Sequence, residues 1–174
     1  GEKVIVFGIG GIGSSALLKA KSLGMHTTAV DIVDWKLKWA KEDLGINETI
    51  QPGQVSSRDF DFAIECSGNK KAMEAAFEYI KDKGIAMIAG NLEPGEKISI
   101  DPFRLIKGKK IRGSWGGETN IEKDLPEFAK EYLDGVLPLD RLVSQVYSFE
   151  EINQGLKDLE EGKLIRGIVD FQKT

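Results

Sequence analysis

A doubly wound α/β fold, with a parallel sheet covered by helices on both faces, is predicted by three observations. Short apolar runs rich in β-branched residues alternate with stretches of helical spacing. A glycine-rich turn, Gly8-Ile9-Gly10-Gly11-Ile12-Gly13, follows the first run and opens the first helix. An acid, Asp31, closes the second run.

The elements follow in order. Residues 4–7 form the first strand. Residues 14–20 have helical spacing, and Gly24 is a natural C-cap. Residues 26–31 are a second strand, 34–44 a helix stopped by Gly45, and 48–50 a short third strand. Residues 60–66 are a nearly all-apolar fourth strand, 70–81 a helix stopped by Gly84, and 85–89 a fifth strand. The unbroken apolar run Ala86-Met87-Ile88-Ala89 fits a strand buried on both faces. The remainder is less regular. Pro94-Gly95 is a turn, 97–100 alternates weakly, 109–115 is a strand and 122–133 a helix. Residues 149–162 form an amphipathic helix with Ile152, Leu156 and Leu159 on one face, and 165–171 a last strand. The expected organisation is one domain over residues 1–147 with a C-terminal helix-strand segment over 148–174.

Composition excludes several classes of function. The net charge of −4 comes from interspersed acids and bases, so nucleic-acid binding is not expected. No apolar run approaches bilayer length, so no membrane partner is expected. Gly1-Glu2-Lys3 runs straight into a strand, so no leader is expected, and the expected location is cytoplasmic. A single cysteine, Cys66, excludes an internal disulfide. With only one histidine, His26, the chain lacks the several Cys and His ligands of a usual transition-metal site, and neither residue is assigned to metal or catalysis.

The strongest local signal is the G-x-G-x-x-G of Gly8, Gly10 and Gly13, with Gly11 and Ile12 between the last two. It lies between a strand and a helix, as the dinucleotide fingerprint requires. Gly8 permits the tight turn, Gly10 lets backbone approach a pyrophosphate, and Gly13 lets helix pack on strand. The helix N-terminus then offers free N–H groups and a partial positive charge. Asp31 lies 18 residues past Gly13, near the usual offset of about 20 for the acid that binds the adenosine ribose. It would repel a 2′-phosphate, and the next residues, Ile32 and Val33, are apolar. A Rossmann fold binding NAD(H) rather than NADP(H) is therefore expected.

The chain resembles the zinc-dependent medium-chain alcohol dehydrogenase family over nearly its whole length. The likeness runs through residues 1–8, Ala29-Val30-Asp31, Phe60-Asp61-Phe62-Ala63-Ile64-Glu65-Cys66-Ser67-Gly68 and Ile88-Ala89-Gly90. It ends with Phe149-Glu150-Glu151-Ile152-Asn153-Gln154-Gly155 and Gly162-Lys163-Leu164-Ile165-Arg166. The resemblance implies that Lys36 contacts the adenosine ribose. It places Ser67 and Gly68 beside the adenosine half, and Ala89, Gly90 and Asn91 on the nicotinamide side. It implies that the backbone N–H of Trp115 holds the carboxamide, with Ser114 beside it in the cofactor site. It implies that Arg166 reaches the pyrophosphate, where a guanidinium suits phosphate.

Two departures from the family are visible. Residues 51–59 give only a short link between the third and fourth strands, where the family often has a helix. The family's catalytic domain, with its zinc ligands and most of its substrate pocket, has no counterpart in this sequence. The resemblance therefore implies a chain that binds NAD(H) but does not oxidise alcohols alone, zinc being expected only in the catalytic domain of a full-length parent. There hydride would pass between nicotinamide and a simple, polyol or sugar-derived alcohol, or its carbonyl. The resemblance also implies a homodimer through the strand from Lys109 to Trp115, and an uncovered apolar face over 149–171.

Three rivals stay open. A zinc-free reductase of the same superfamily is expected to prefer NADPH, against which Asp31 speaks. A non-enzymatic nucleotide-sensing module is not expected to share the Arg166 tail. A short-chain dehydrogenase would use Tyr79, Lys83 and Ser67, but its glycine spacing differs and Lys83 falls beside Gly84.

Overall fold

The computed structural model describes residues 1–173. Six strands form one parallel sheet: β1 (Lys3–Phe7), β2 (His26–Val30), β3 (Glu48–Ile50), β4 (Phe60–Glu65), β5 (Ile80–Ile88) and β6 (Lys110–Gly113), in the order β3-β2-β1-β4-β5-β6. This is the doubly wound order, in which the direction of strand addition reverses between β1 and β4 while all strands stay parallel. Helices α1 (Gly11–Ser22), α2 (Asp34–Glu42) and α3 (Lys70–Tyr79) link the strands, followed by α4 (Pro102–Ile106) and α5 (Ile121–Leu133). The C-terminal part holds β7 (Val143–Tyr147), α6 (Ile152–Glu160) and β8 (Arg166–Val169), the two strands pairing in parallel as a second sheet.

Strand alternation sends side chains to two separate cores. Val4, Val6 and Ala29 pack against Leu17 and Leu18 of α1, Leu37 and Ala40 of α2, and Leu137 and Leu142. Ile5, Phe7 and Val30 point the other way, toward Ala76 and Phe77 of α3. Thr28 pairs with Ile5 in register and so faces this second core. It is fully buried, and its hydroxyl has no hydrogen-bond partner among the described residues. A buried, unpaired hydroxyl is destabilising, so Thr28→Val is expected to raise stability by about 1–2 kcal/mol. A lower urea midpoint in the variant would contradict this.

Several boundaries differ from the sequence expectation. The helix expected over 70–81 ends at Tyr79, because Ile80 is extended and fully buried opposite Phe60. Lys81 to Gly84 then bulge out, with Lys83 at φ 68°, before Phe62 pairs with Ile85. Lys83 thus sits in a bulge rather than on the helix that Tyr79 closes, which removes the shared helical face that the short-chain reading needed.

The strand expected over 109–115 is confined to β6, because Lys109 is buried for another purpose. Its ammonium donates to the Phe77 and Glu78 carbonyls at 3.2 and 2.7 Å, closing the C-terminal end of α3. Residues 97–100 form no strand. The last helix and last strand are shorter than expected, at α6 and β8, and α4 and β7 were not expected at all.

The unexpected β7 organises the C-terminal part. The buried ring of Tyr147 rests on Gly155 of α6 and Gly167 of β8, where added Cβ atoms would lie 3.1 and 3.2 Å from the ring. Its hydroxyl donates to Asp158 at 3.0 Å. This small unit places the start of β8 over the start of α1.

Candidate functional site

The carboxyl ends of the strands form one edge, and the expected site residues gather there. Gly8 leaves β1 at φ 88°, a region where only glycine is unstrained. A Cβ there would also lie 2.9 Å from Ser67 at the end of β4, which puts the two turns in contact at the reversal point of the sheet. Gly13 meets the Gly8 carbonyl so closely that a Cβ would lie 1.9 Å from it. A Cβ on Gly10 would have nothing within 4 Å. The first and third glycines of the fingerprint therefore serve the fold, and the middle one faces open space.

No side chain caps the N-terminus of α1, and its first turn holds no acid. Its partial positive charge is left for a ligand. Arg166, at the start of β8, brings its guanidinium to the same place, with Nη2 3.1 Å from where a Cβ on Gly11 would stand. Ile12 is exposed beside it.

Asp31 lies against the glycine turn. Its Oδ2 accepts from the Ile9 backbone N–H at 2.6 Å and its Oδ1 from that of Val33 at 2.9 Å. A carboxylate has about four acceptor sites, so each oxygen keeps capacity for a ligand hydroxyl. Asp31 and the exposed Ile32 line a cleft of about 650 Å³. Phe7, Val30, Val55 and Tyr79 give it an apolar floor, and Asn69 and Lys71 add polar groups. The apolar lining with few polar groups suits a nucleoside.

The remaining expected residues extend along the same edge. Gly68 and Gly90 abut, a Cβ on Gly90 falling 2.3 Å from the Gly68 nitrogen. A Cβ on Gly68 would lie 2.6 Å from the carbonyl of the exposed Asn91. Ala89 precedes this contact and donates its N–H to the Glu65 carbonyl at 2.8 Å. The Ser114 N–H donates to the Ile88 carbonyl at 2.9 Å, and Trp115 stands 86% exposed. Lys36 is not drawn onto Asp31. Its ammonium lies over the Trp35 ring, 5.7 Å from the centroid.

The sequence reading missed Glu65, which ends β4 and is fully buried. The only sequence signal was a charge closing an apolar strand. Its neighbour Cys66 is chemically quiet. Burial, and then the charge of Glu65, push its thiol up to about 12, so almost no thiolate forms at neutral pH.

These features fit a dinucleotide. Open space lies at Gly10, a bare helix N-terminus and an arginine lie beside it, and a carboxylate stands one turn away.

The chain is similar in sequence and fold to known proteins. S-(hydroxymethyl)glutathione dehydrogenase of Saccharomyces cerevisiae is 32% identical over 184 residues, covering 97% of this chain and 48% of that protein. Benzyl alcohol dehydrogenase of Acinetobacter calcoaceticus superposes with a TM-score of 0.90 at 29% identity, over 97% of this chain and 49% of that one. A candidate zinc-binding dehydrogenase of Sinorhizobium meliloti 1021, bound to NADP, superposes at 0.78 with 25% identity, over 88% of this chain and 48% of that one. The chain spans about half the length of the curated relatives it matches. Residues 11–133, from the start of α1 to the end of α5, match the sequence profile of the zinc-binding dehydrogenases. With fold, glycine turn and profile in agreement, the chain belongs to the zinc-binding dehydrogenase family.

Proposed function

We propose that this chain binds NAD(H) across the carboxyl edge of its main sheet and supplies the coenzyme side of an alcohol or polyol dehydrogenase. The observation that carries the proposal is the convergence of the glycine turn, the uncapped start of α1, Asp31 and Arg166 on one edge. The backbone of Gly10, Gly11, Ile12 and Gly13, with Arg166, would take the pyrophosphate. Asp31, Ile32 and Lys36, with Gly8 on the first turn and Ser67 and Gly68 opposite, would hold the adenosine half. Ala89, Gly90, Asn91, Ser114 and Trp115 would take the nicotinamide half. The chemistry that bound NAD supplies is reversible hydride acceptance at its ring, and the protein's task is to fix that ring in place. Among the described residues no group of three or more His, Cys, Asp or Glu is placed to hold a metal ion.

Asp31 favours NAD(H) over NADP(H), because its charge opposes a 2′-phosphate. Calorimetric titration of the purified chain is expected to show tighter binding of NADH than of NADPH. Incubation with NAD and alcohols is expected to produce no NADH. Absence of NADH binding at millimolar concentration would remove the proposal, and turnover by the chain alone would overturn its division of labour.

The proposal extends to a division into a coenzyme unit, residues 1–147, and a C-terminal segment, 148–174, that seats a catalytic domain. Supporting it, Leu156 and Leu159 of α6 are more than half exposed, and so are the stacked rings of Phe149 and Phe171. Exposed apolar side chains on one element support a contact surface there. Among the described residues β6 pairs only with β5 and leaves its other edge open, which supports pairing with a second copy. Sedimentation is expected to show a dimer, and a monomer at every concentration would count against this pairing. Among the described residues no helix is long and apolar enough to cross a membrane.

A further inference from the structure

Glu65 stands behind the coenzyme edge, out of reach of solvent. Its Oε1 accepts from the Ser67 backbone N–H at 2.7 Å and from the Ser67 hydroxyl at 2.5 Å. Its backbone carbonyl accepts from the N–H groups of Ala89 and Gly90 at 2.8 and 3.0 Å. One residue thus fastens the turn after β4 with its side chain and the turn after β5 with its main chain.

The second carboxylate oxygen, Oε2, has no hydrogen-bond partner among the described residues. It lies 2.6 Å from where a Cβ on Gly90 would stand. The same Cβ would crowd the Gly68 nitrogen at 2.3 Å, so the missing side chain at Gly90 leaves room both for the carboxylate and for the neighbouring turn. Burying a carboxylate, and leaving one oxygen unpaired, is destabilising. A short apolar side chain would end this strand at lower cost, though it would leave the Ser67 donors free. A constraint other than stability therefore accounts for the acid, and the two turns it fastens are the ones on which the proposed coenzyme site rests.

We infer that Glu65 is a positioning residue for the dinucleotide, holding the adenosine-side turn Ser67-Gly68 and the nicotinamide-side turn Ala89-Gly90-Asn91 in fixed register. This inference rests on the proposed NAD(H) reading. It requires that Glu65 set the extra affinity gained when a nicotinamide is added to the ligand. It touches neither the ligand nor the reacting atoms.

The test compares ADP-ribose with NADH by calorimetry for the wild type, Glu65→Ala and Glu65→Gln. Wild type is expected to bind NADH more tightly than ADP-ribose. Glu65→Ala is expected to shrink that ratio at least fivefold. Glu65→Gln is expected to restore part of it, since its amide oxygen can still accept from Ser67. A general loss of structure would weaken both ligands alike. An unchanged ratio therefore overturns the inference, whatever the absolute affinities. If Glu65→Ala does not fold, Glu65→Leu, which fills more of the site and likewise lacks the acceptor, decides by the same ratio, and a wild-type value retained there overturns the inference. A wild type that binds the two ligands equally also overturns it while leaving coenzyme binding intact. A wild type that binds neither removes the NAD(H) reading itself, and the inference with it.

Discussion

Replacing Asp31 with alanine is expected to weaken NADH binding at least tenfold and to abolish most of the preference for NADH over NADPH. Two effects separate in this variant. A carboxylate accepting ribose hydroxyls provides charge-assisted hydrogen bonds of about 1.5–3 kcal/mol each. The same charge repels a 2′-phosphate, so its removal relieves NADPH while it harms NADH. Asp31 also accepts from the Ile9 and Val33 N–H groups at 2.6 and 2.9 Å, so the alanine variant loosens the glycine turn as well. Asp31→Asn keeps one acceptor oxygen and removes the charge. It is expected to retain more of the turn and yet lose the discrimination. Calorimetry with both coenzymes on all three proteins decides. If Asp31→Ala keeps the wild-type ratio of affinities, the acid does not read the ribose.

The regular part of the fold was legible because its signals are local. Strand β1, the glycine turn and α1 follow one another within the first 22 residues, and the alternation of short apolar runs with helical spacing carried through to β5. What the sequence hid depends on distant contacts. Helix propensity continues past Tyr79, but burial of Ile80 opposite Phe60 overrides it. Lys109 reads as the start of a strand, yet its buried ammonium is spent on carbonyls of α3. Strand β7 is short and mixed in polarity, and only its pairing with β8 makes it regular. The overlooked α4 did carry a local mark, since Asp101 caps it and Pro102 begins it.

The site divides in the same way. The glycine turn and Asp31 announce themselves by spacing. Arg166 was placed by resemblance alone, and the structure shows the physical route, a small unit built around Tyr147 that carries β8 to the start of α1. Glu65 carries no such signature, because its partners sit two and about 25 residues along the chain and are joined only once β4 and β5 lie side by side.

Alanine at Gly10 and at Gly13 should have opposite consequences, though both positions belong to one motif. At Gly13 the new methyl would stand 1.9 Å from the Gly8 carbonyl and 3.4 Å from Val6. Neither neighbour can yield without parting α1 from β1, which is the contact that joins the first helix to the sheet. Overpacking of this kind costs about 1–3 kcal/mol where side chains can move, and backbone against backbone puts Gly13→Ala at or above the upper figure. At Gly10 nothing lies within 4 Å, and φ −94° with ψ −165° suits any residue. Gly10→Ala should leave stability within about 0.5 kcal/mol of wild type. Its methyl would nevertheless fill the space that a pyrophosphate must enter, so NADH affinity should fall by more than tenfold. Thermal unfolding and calorimetry on the two variants separate the roles, because one glycine serves the chain and the other, on the proposed reading, would serve only a ligand. NADH binding of wild-type strength in a folded Gly10→Ala protein would mean that no phosphate approaches α1 at this turn.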